Sequence, residues 1–259
     1  MEELWSWWWV LWRAAGCLTV APLIGGIRMP GRVRLMAILV LSWAMVPVAG
    51  SGGIPPMGGG WLELSLLTMR ETLVGLVLGF SSRFLVFAAQ SAGQWISSEM
   101  GLQAGQILSP GSGESSNEAG ILLEFLALLV LFGFQLHHEW FRAFAETYRV
   151  LPIVAPTSIS DEGLLALFMR LSTESLGLSV RLAMPVIAGG FLLNVTLLLL
   201  GRALPQLPVF QDSFMFRAVV GLFLFGASLH LFASHLNTRG TAMPGDLVSA
   251  ARVMRATPP

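Results

Sequence analysis

Apolar residues lie in six long stretches that are separated by shorter polar or glycine-rich segments. The stretches run over Leu4–Ile24, Leu35–Ala49, Thr72–Ala92, Ile121–Leu136, Leu164–Leu200 and Ala218–Leu236. They are continuous and rich in leucine, without the alternation of apolar and polar positions that is typical of membrane β-barrel strands. Since a helix satisfies its own backbone groups in lipid, the pattern predicts an all-α, polytopic integral membrane protein, with about six apolar segments forming kinked helices and helical hairpins.

The fifth stretch, Leu164–Leu200, is too long for one straight crossing. As a helix it would extend about 55 Å, whereas the hydrocarbon core of a bilayer is about 30 Å thick. Pro185 lies near its middle, where a proline removes a backbone hydrogen bond and bends a helix. We therefore expect either a kinked helix or a tight helical hairpin here.

The chain is expected to form a single membrane domain over residues 1–259. Residues 1–160 would supply the N-terminal helices and a loop at 106–118, residues 161–240 the C-terminal helical hairpins, and residues 241–259 a polar tail. The loop belongs to a glycine- and serine-rich segment between two apolar stretches. It is either an ordinary solvent-exposed loop or a loop folded into a pore, since irregular backbone is tolerated at membrane depth where it lines a cavity.

Composition supports the membrane class. Hydrophobic residues make up 54% of the chain and charged residues 12%, and the mean hydropathy is +0.72. Soluble domains carry about 25% charged residues, so this chain has too few for a surface that faces water all round. The net charge is zero, so no basic excess attracts nucleic acid, and no nucleic-acid partner is expected.

Charged residues inside apolar stretches are costly at the centre of a bilayer. Those that stand out are Arg13, Arg83, Glu124 and Arg181. A proton path would need titratable groups in series, and arginine does not lose its proton in proteins. We therefore expect these residues to be buried charges with a structural role, either pairing between helices or subunits or lining a polar passage.

Signals for catalysis or metal binding are weak. His137, His138 and Glu139 resemble part of a zinc motif, but Arg142 stands where H-E-x-x-H would need its second histidine. There is one cysteine, Cys17, and the motifs of common hydrolases and nucleotide-binding loops are absent. We expect no enzyme activity, no catalytic residue, no metal site and no cofactor.

Small residues four positions apart allow helices to approach closely in lipid. Gly75 and Gly79 have this spacing in the third stretch. The sequence leaves two interpretations open, packing within this chain and packing between subunits.

Many of these residues also match the pattern of one protein family. Matching positions are Arg13, Ala21, Pro22, Pro30, Glu71, Gly75, Gly79, Phe80, Gly93, Gly101, Leu102, Pro110, His137, His138, Tyr148, Pro152, Pro185, Asn194, Arg202, Pro205, Gln206, Val209, Phe210 and Gly221. In this order and spacing, the chain resembles the flagellar export-apparatus protein FliR and its counterpart in virulence type III secretion systems. It departs from the family pattern at Ser109, Pro208 and Arg217, which leaves the choice between the flagellar and virulence branches open.

The resemblance implies a subunit of a protein export gate in the bacterial inner membrane and, in the flagellar branch, the flagellar basal body. Its partners would be FliP-like, FliQ-like and FlhB-like subunits together with unfolded protein substrates. The family's plug loop corresponds to Gln106–Glu118, with Gln106, Ile107, Leu108, Ser109, Pro110, Gly111, Ser112 and Gly113 as the expected plug residues. The residues expected to break or pack helices are Gly75, Gly79, Pro185, Asn194, Pro205 and Gln206.

A second class of function, a small-molecule secondary transporter, also fits a polytopic helical chain. It predicts inverted repeats and a midplane site formed by broken helices. Pro185 supplies one such break, and the other half of the sequence has no matching one. Genes for export-apparatus proteins beside this gene would favour the export gate.

Overall fold

The computed structural model describes residues 2–22, 30–49, 61–102, 118–153, 161–203 and 209–255. These residues form helices and their short connections, which confirms the all-α prediction. We number the helices α1 (Glu2–Val20), α2 (Gly31–Ala49), α3 (Trp61–Glu99), α4 (Glu118–Gly133), α5 (Leu136–Val150), α6 (Asp161–Ala203), α7 (Val209–Ala227) and α8 (Leu229–Val253).

Several of these helices are long and apolar enough to cross a membrane. Three single helices meet that condition, over Gly31–Ala49, Trp61–Glu99 and Glu162–Ala203. Two helix pairs meet it together but are bent at a short break, by 77° between α4 and α5 and by 53° between α7 and α8. The polytopic character predicted from the sequence is therefore confirmed, although α1, which forms in the stretch Leu4–Ile24, does not meet the same condition.

The breaks in the bent pairs were not located by the apolar pattern. Between α4 and α5, Gln135 has a left-handed backbone with φ 58°, a conformation that side chains other than glycine seldom adopt. Between α7 and α8, the backbone N–H of Ser228 donates to the carbonyl groups of Leu224 and Phe225. Both breaks occur inside apolar sequence, so hydropathy alone gives no sign of them.

The two long helices, α3 and α6, extend beyond their predicted stretches. Helix α6 is one continuous helix with Pro185 inside it, so the hairpin alternative for this stretch does not apply. Helix α3 ends at Glu99, and two residues later Gly101 has a left-handed backbone with φ 73°. The backbone N–H of Leu102 donates to Ser97 and that of Gly101 to Ser98, which is the Schellman arrangement that caps helix ends.

The chain forms two compact units. The first contains Met1–Phe84, Leu131–Ser172 and Arg239–Pro259, and the second contains Leu85–Val130 and Thr173–Thr238. Large side chains that are buried in the first unit are Leu18, Leu78, Trp140, Phe144 and Tyr148, and in the second unit Ile96, Leu123, Leu182, Phe232 and Leu236.

The C-terminal segment that was expected to be a polar tail is helical to Val253, as the continuation of α8. It buries Met243, Leu247 and Ala250, which recur at intervals of three and four residues as expected for one face of a helix. These apolar positions are diluted by polar neighbours, so mean hydropathy does not mark them.

Candidate functional site

A buried ion pair joins α1 to α3 in the first unit. The Nε of Arg13 donates to Oε2 of Glu71 at 2.6 Å, and Nη2 of Arg13 lies 2.6 Å from the same oxygen. Both side chains are 0% exposed. Taking two charges out of water is costly unless they are paired and hydrogen-bonded, and here the arginine fork meets the carboxylate directly.

Further contacts connect this ion pair to the end of α5. Arg13 Nη1 donates to the carbonyl oxygen of Leu151 at 2.9 Å, and Arg70 Nη2 donates to that of Ile153 at 2.7 Å. Arg70 also lies 3.1 Å from Glu71 Oε1, and the Arg13 guanidinium lies 4.5 Å from the centre of the Tyr148 ring. Leu151 is the C-cap residue of α5. Carbonyl groups at a helix C-terminus lack partners within the helix and attract cations, so the contact from Arg13 stabilises the end of α5, and Arg70 binds the chain just beyond it.

Glycines allow α1 and α3 to come close enough for this pairing. A Cβ at Gly75 would clash with the carbonyl oxygen of Arg13, and a Cβ at Gly79 with that of Cys17. On the opposite helix, a Cβ at Gly16 would clash with the carbonyl oxygen of Thr72. Gly75 and Gly79 therefore pack within this chain, which is one of the two interpretations that the sequence left open.

In the second unit, Glu124 of α4 accepts a hydrogen bond from a neighbouring helix. Gln90 of α3 donates from Nε2 to Glu124 Oε2 at 2.9 Å. The backbones are in direct contact beside it, since a Cβ at Gly93 would clash with Gly120. Glu124 is half-buried, and the group that donates to it is the side-chain amide of Gln90 rather than a cation.

A second charge cluster in the first unit was missed by the sequence reasoning. Asp246 of α8 lies 3.0 Å from Arg170 of α6 through Oδ1 and 2.7 Å from Arg239 through Oδ2. The available signal was the spacing of Arg239 and Asp246, seven residues apart and therefore on one helical face. Hydropathy gives no sign of this cluster, because polar residues separate the apolar positions of this segment.

The remaining predicted site residues have varied surroundings. Arg83 on α3 is half-buried, whereas Arg181 on α6 is exposed. Asn194 is half-buried, and its Oδ1 lies away from solvent without a hydrogen-bond partner in the described part of the structure. The predicted residues that lie outside the described part are Gln106, Ile107, Leu108, Ser109, Pro110, Gly111, Ser112, Gly113, Pro205 and Gln206.

Together these contacts fix helices rather than assemble reactive groups. Within the described residues, no group of three or more His, Cys, Asp or Glu side chains is arranged to hold a metal ion. The sequence marks Arg13 and Glu124 as charges inside apolar stretches but gives no sign of the residues they contact. Glu71 was overlooked as a partner because it stands one residue before the apolar stretch Thr72–Ala92.

Comparison with known proteins gives a consistent result. A family model described as "Bacterial export proteins, family 1" matches residues 4–242. The flagellar biosynthetic protein FliR of Escherichia coli (strain K12) is 28% identical over 256 residues, covering 96% of this chain and 96% of the relative. That of Caulobacter vibrioides is 28% identical over 219 residues, covering 84% and 85%. The Yop proteins translocation protein T of Yersinia pestis is 23% identical over 212 residues, covering 82% and 81%.

Proposed function

Because this chain belongs to the bacterial export proteins, family 1, we propose that it is a membrane subunit of a flagellar or type III protein export gate. A role in a protein export apparatus follows from the family. The finer proposal is that the chain forms, with partner subunits, a channel for unfolded export substrates. FliP-like, FliQ-like and FlhB-like proteins are the proposed partners, in the bacterial inner membrane and, for the flagellar branch, at the basal body.

The extent of the family match is the observation that carries this proposal. It covers nearly all of the described helices rather than one local motif. The relatives include both flagellar FliR proteins and a Yop translocation protein, so the proposal names the export gate in general and leaves the branch open.

The surface of the chain supports association with partners or lipid. On α3, large apolar side chains recur at alternating intervals of four and three residues and are exposed, at Leu62, Leu66, Met69, Leu73 and Leu76. A stripe with this spacing is the pattern by which one helix packs along another. We propose that such faces are covered in the assembled gate.

The buried charges would act in this assembly as fixed structural contacts. Arg13 and Glu71 hold α1 on α3, and Asp246 holds α8 on α6. We propose that the chain performs no chemistry itself and provides a shaped passage. The loop Gln106–Glu118 is proposed as the movable seal of that passage, on the basis of its sequence.

A secretion assay tests the proposal. Removing this chain from cells should abolish export of flagellar or type III substrates, and restoring it on a plasmid should recover export. The membrane potential and general secretion serve as controls and should stay normal. Unchanged export, or loss of uptake of a small molecule instead, would contradict the proposal and favour a secondary transporter.

A further inference from the structure

A small polar cavity lies between α3 and α4 in the second unit. It has a volume of about 240 Å³ and is lined by Gln90, Ser91, Gln94, Gly120, Ile121 and Glu124. Gln94 and Ile121 are exposed at its rim. Its floor includes the hydrogen bond from Gln90 Nε2 to Glu124 Oε2, at 2.9 Å.

This cavity is unusual for its surroundings. Both helices belong to segments that are long and apolar enough to cross a membrane, and an ionisable side chain such as that of Glu124 is costly at the centre of a bilayer. Where such side chains occur, they usually face a water-filled cavity or a substrate path. Gln90, Ser91 and Gln94 are spaced so that they share one face of α3, and Glu124 of α4 faces the same cavity.

The lining groups favour one kind of ligand. A glutamine side chain carries a carbonyl acceptor and an NH2 donor, which together complement the N–H and C=O of a peptide unit. A serine hydroxyl can donate and accept, and a carboxylate adds acceptor capacity. Because every residue except proline presents the same main-chain groups, such a site would bind extended polypeptide regardless of sequence.

Size argues against a small-molecule cofactor. Ligand pockets have volumes of about 300–1,000 Å³ and are lined mainly by apolar and aromatic side chains. This cavity is smaller and mostly polar. A polar cavity of this size has room for several waters, which suits a hydrated contact with a passing chain.

We infer that this polar cavity is a contact site for the main chain of unfolded export substrates, with Gln90, Ser91 and Gln94 hydrogen-bonding peptide groups and Glu124 accepting from peptide N–H. The inference rests on the proposed function as an export-gate subunit. It adds a binding site and a mode of recognition that is independent of substrate sequence.

Site-directed photo-cross-linking tests the contact in the assembled complex. In membranes that hold a stalled substrate, Gln94→benzoylphenylalanine should cross-link to that substrate. The matched control is Trp95→benzoylphenylalanine, the next residue on the same helix, which is also exposed but does not line the cavity. Equal cross-linking from both positions, or cross-linking from position 94 to a partner subunit alone, would overturn the inference.

The substrate supplies a second test, of main-chain recognition itself. A stalled segment of prolines lacks N–H groups, so it should cross-link to position 94 roughly fivefold less than an alanine segment of the same length, the effect expected for about one lost hydrogen bond. Equal yields would exclude recognition through peptide N–H groups.

Export rates separate this inference from the proposed function. Gln94→Leu should slow export, Gln94→Asn should retain most of the rate because it keeps the amide, and Trp95→Leu should have no effect. If export requires this chain but is unchanged in Gln94→Leu, the cavity inference fails and the proposed function stands. If export does not require the chain at all, the proposed function itself fails.

Discussion

The buried pair of Arg13 and Glu71 shows how single residues hold this chain together. An ion pair out of contact with water adds little stability relative to an apolar pair of the same shape. Removing Glu71, however, leaves the buried charge of Arg13 without a carboxylate, whereas removing Arg13 leaves Glu71 with Arg70. Both side chains are fully buried, so this asymmetry should be large here.

The first prediction tests that asymmetry. Glu71→Leu alone should destabilise the chain by about 3–5 kcal/mol and sharply reduce the amount of assembled complex, because Arg13 is then buried without a carboxylate. Arg13→Leu should destabilise the chain less, because Arg70 still pairs with Glu71. The double variant should recover at least half of the loss caused by Glu71→Leu, because no charge of the pair is then left alone. Thermal unfolding of the detergent-solubilised complex measures both effects.

A matched control lies on α5. The pair of Glu139 and Arg142 spans 2.8 Å but is exposed, and exposed pairs contribute about 0–1 kcal/mol. Glu139→Gln should therefore leave stability almost unchanged. A double variant no more stable than the worse single variant would show that Arg13 and Glu71 do not act as a pair.

The sequence indicates which charged residues need a partner, but it does not indicate which residue that partner is. An arginine inside an apolar stretch demands a partner, which is why Arg13 was expected to be a paired buried charge. Its carboxylate lies 58 positions away, and no local spacing indicates such a contact. Arg181 shows a second limit of the sequence. Its neighbours in sequence are apolar, yet its side chain is exposed, because the sequence does not show which face of α6 is covered by other helices of the chain.

At the scale of helices, the contact between α1 and α3 depends on glycine. Gly75 and Gly79 face the backbone of α1 so closely that a Cβ would clash with a carbonyl oxygen. The small-residue spacing predicted close packing, and the structure identifies α1 as the neighbour. The helix break at Gln135 lies within apolar sequence. It could not be predicted from hydropathy, because hydropathy does not change where the backbone changes direction.

The second prediction concerns this contact. Gly75→Ala should destabilise the complex by about 1–3 kcal/mol, the usual cost of overpacking, and should lower its unfolding temperature. Gly177→Ala on α6 is the matched control, since nothing lies within 4 Å of the added Cβ. There, replacing a helical glycine should stabilise by up to about 1 kcal/mol. Equal effects at both positions would contradict the close packing of α1 on α3.

The third prediction concerns the loop Gln106–Glu118, which lies outside the described residues except for its end. Its glycines permit sharp turns, its serines can satisfy backbone groups locally, and Ile107 and Leu108 are apolar. Deleting Ser109–Ser116 should leave the complex assembled but make the membrane leak small ions. Ion flux into vesicles that contain the purified complex measures the leak. An assembled deletion variant without any leak would refute a sealing role.

At the scale of the whole molecule, the chain leaves many large apolar side chains exposed. They include the stripe along α3 and a further set on α6 at Leu165, Met169, Leu176, Met184, Phe191 and Leu198. Exposed apolar area of this extent requires lipid or protein to cover it.

The class of protein, a polytopic membrane protein, could be predicted from the sequence because the high apolar content alone requires such a covering. The pairing of distant charges and the helical C-terminal segment could not be predicted, since both depend on tertiary contacts.

The fourth prediction is that the isolated chain aggregates in detergent and that partner subunits rescue it. Size-exclusion chromatography of the chain alone and of the co-expressed set measures this directly. The expected result is a broad, early-eluting species for the chain alone and one sharp peak for the set. A monodisperse isolated chain with cooperative unfolding would contradict it.

The mass of the intact complex tests the central claim most directly, that this chain is one subunit of a multi-subunit export gate. The complex would be purified from membranes through a tag on this chain and measured by native mass spectrometry without dissociation. The account predicts one species in which this chain is bound to several copies of smaller helical membrane proteins of the FliP-like and FliQ-like kinds. A mass equal to this chain alone, or to a multiple of it with no other subunit, would contradict the account.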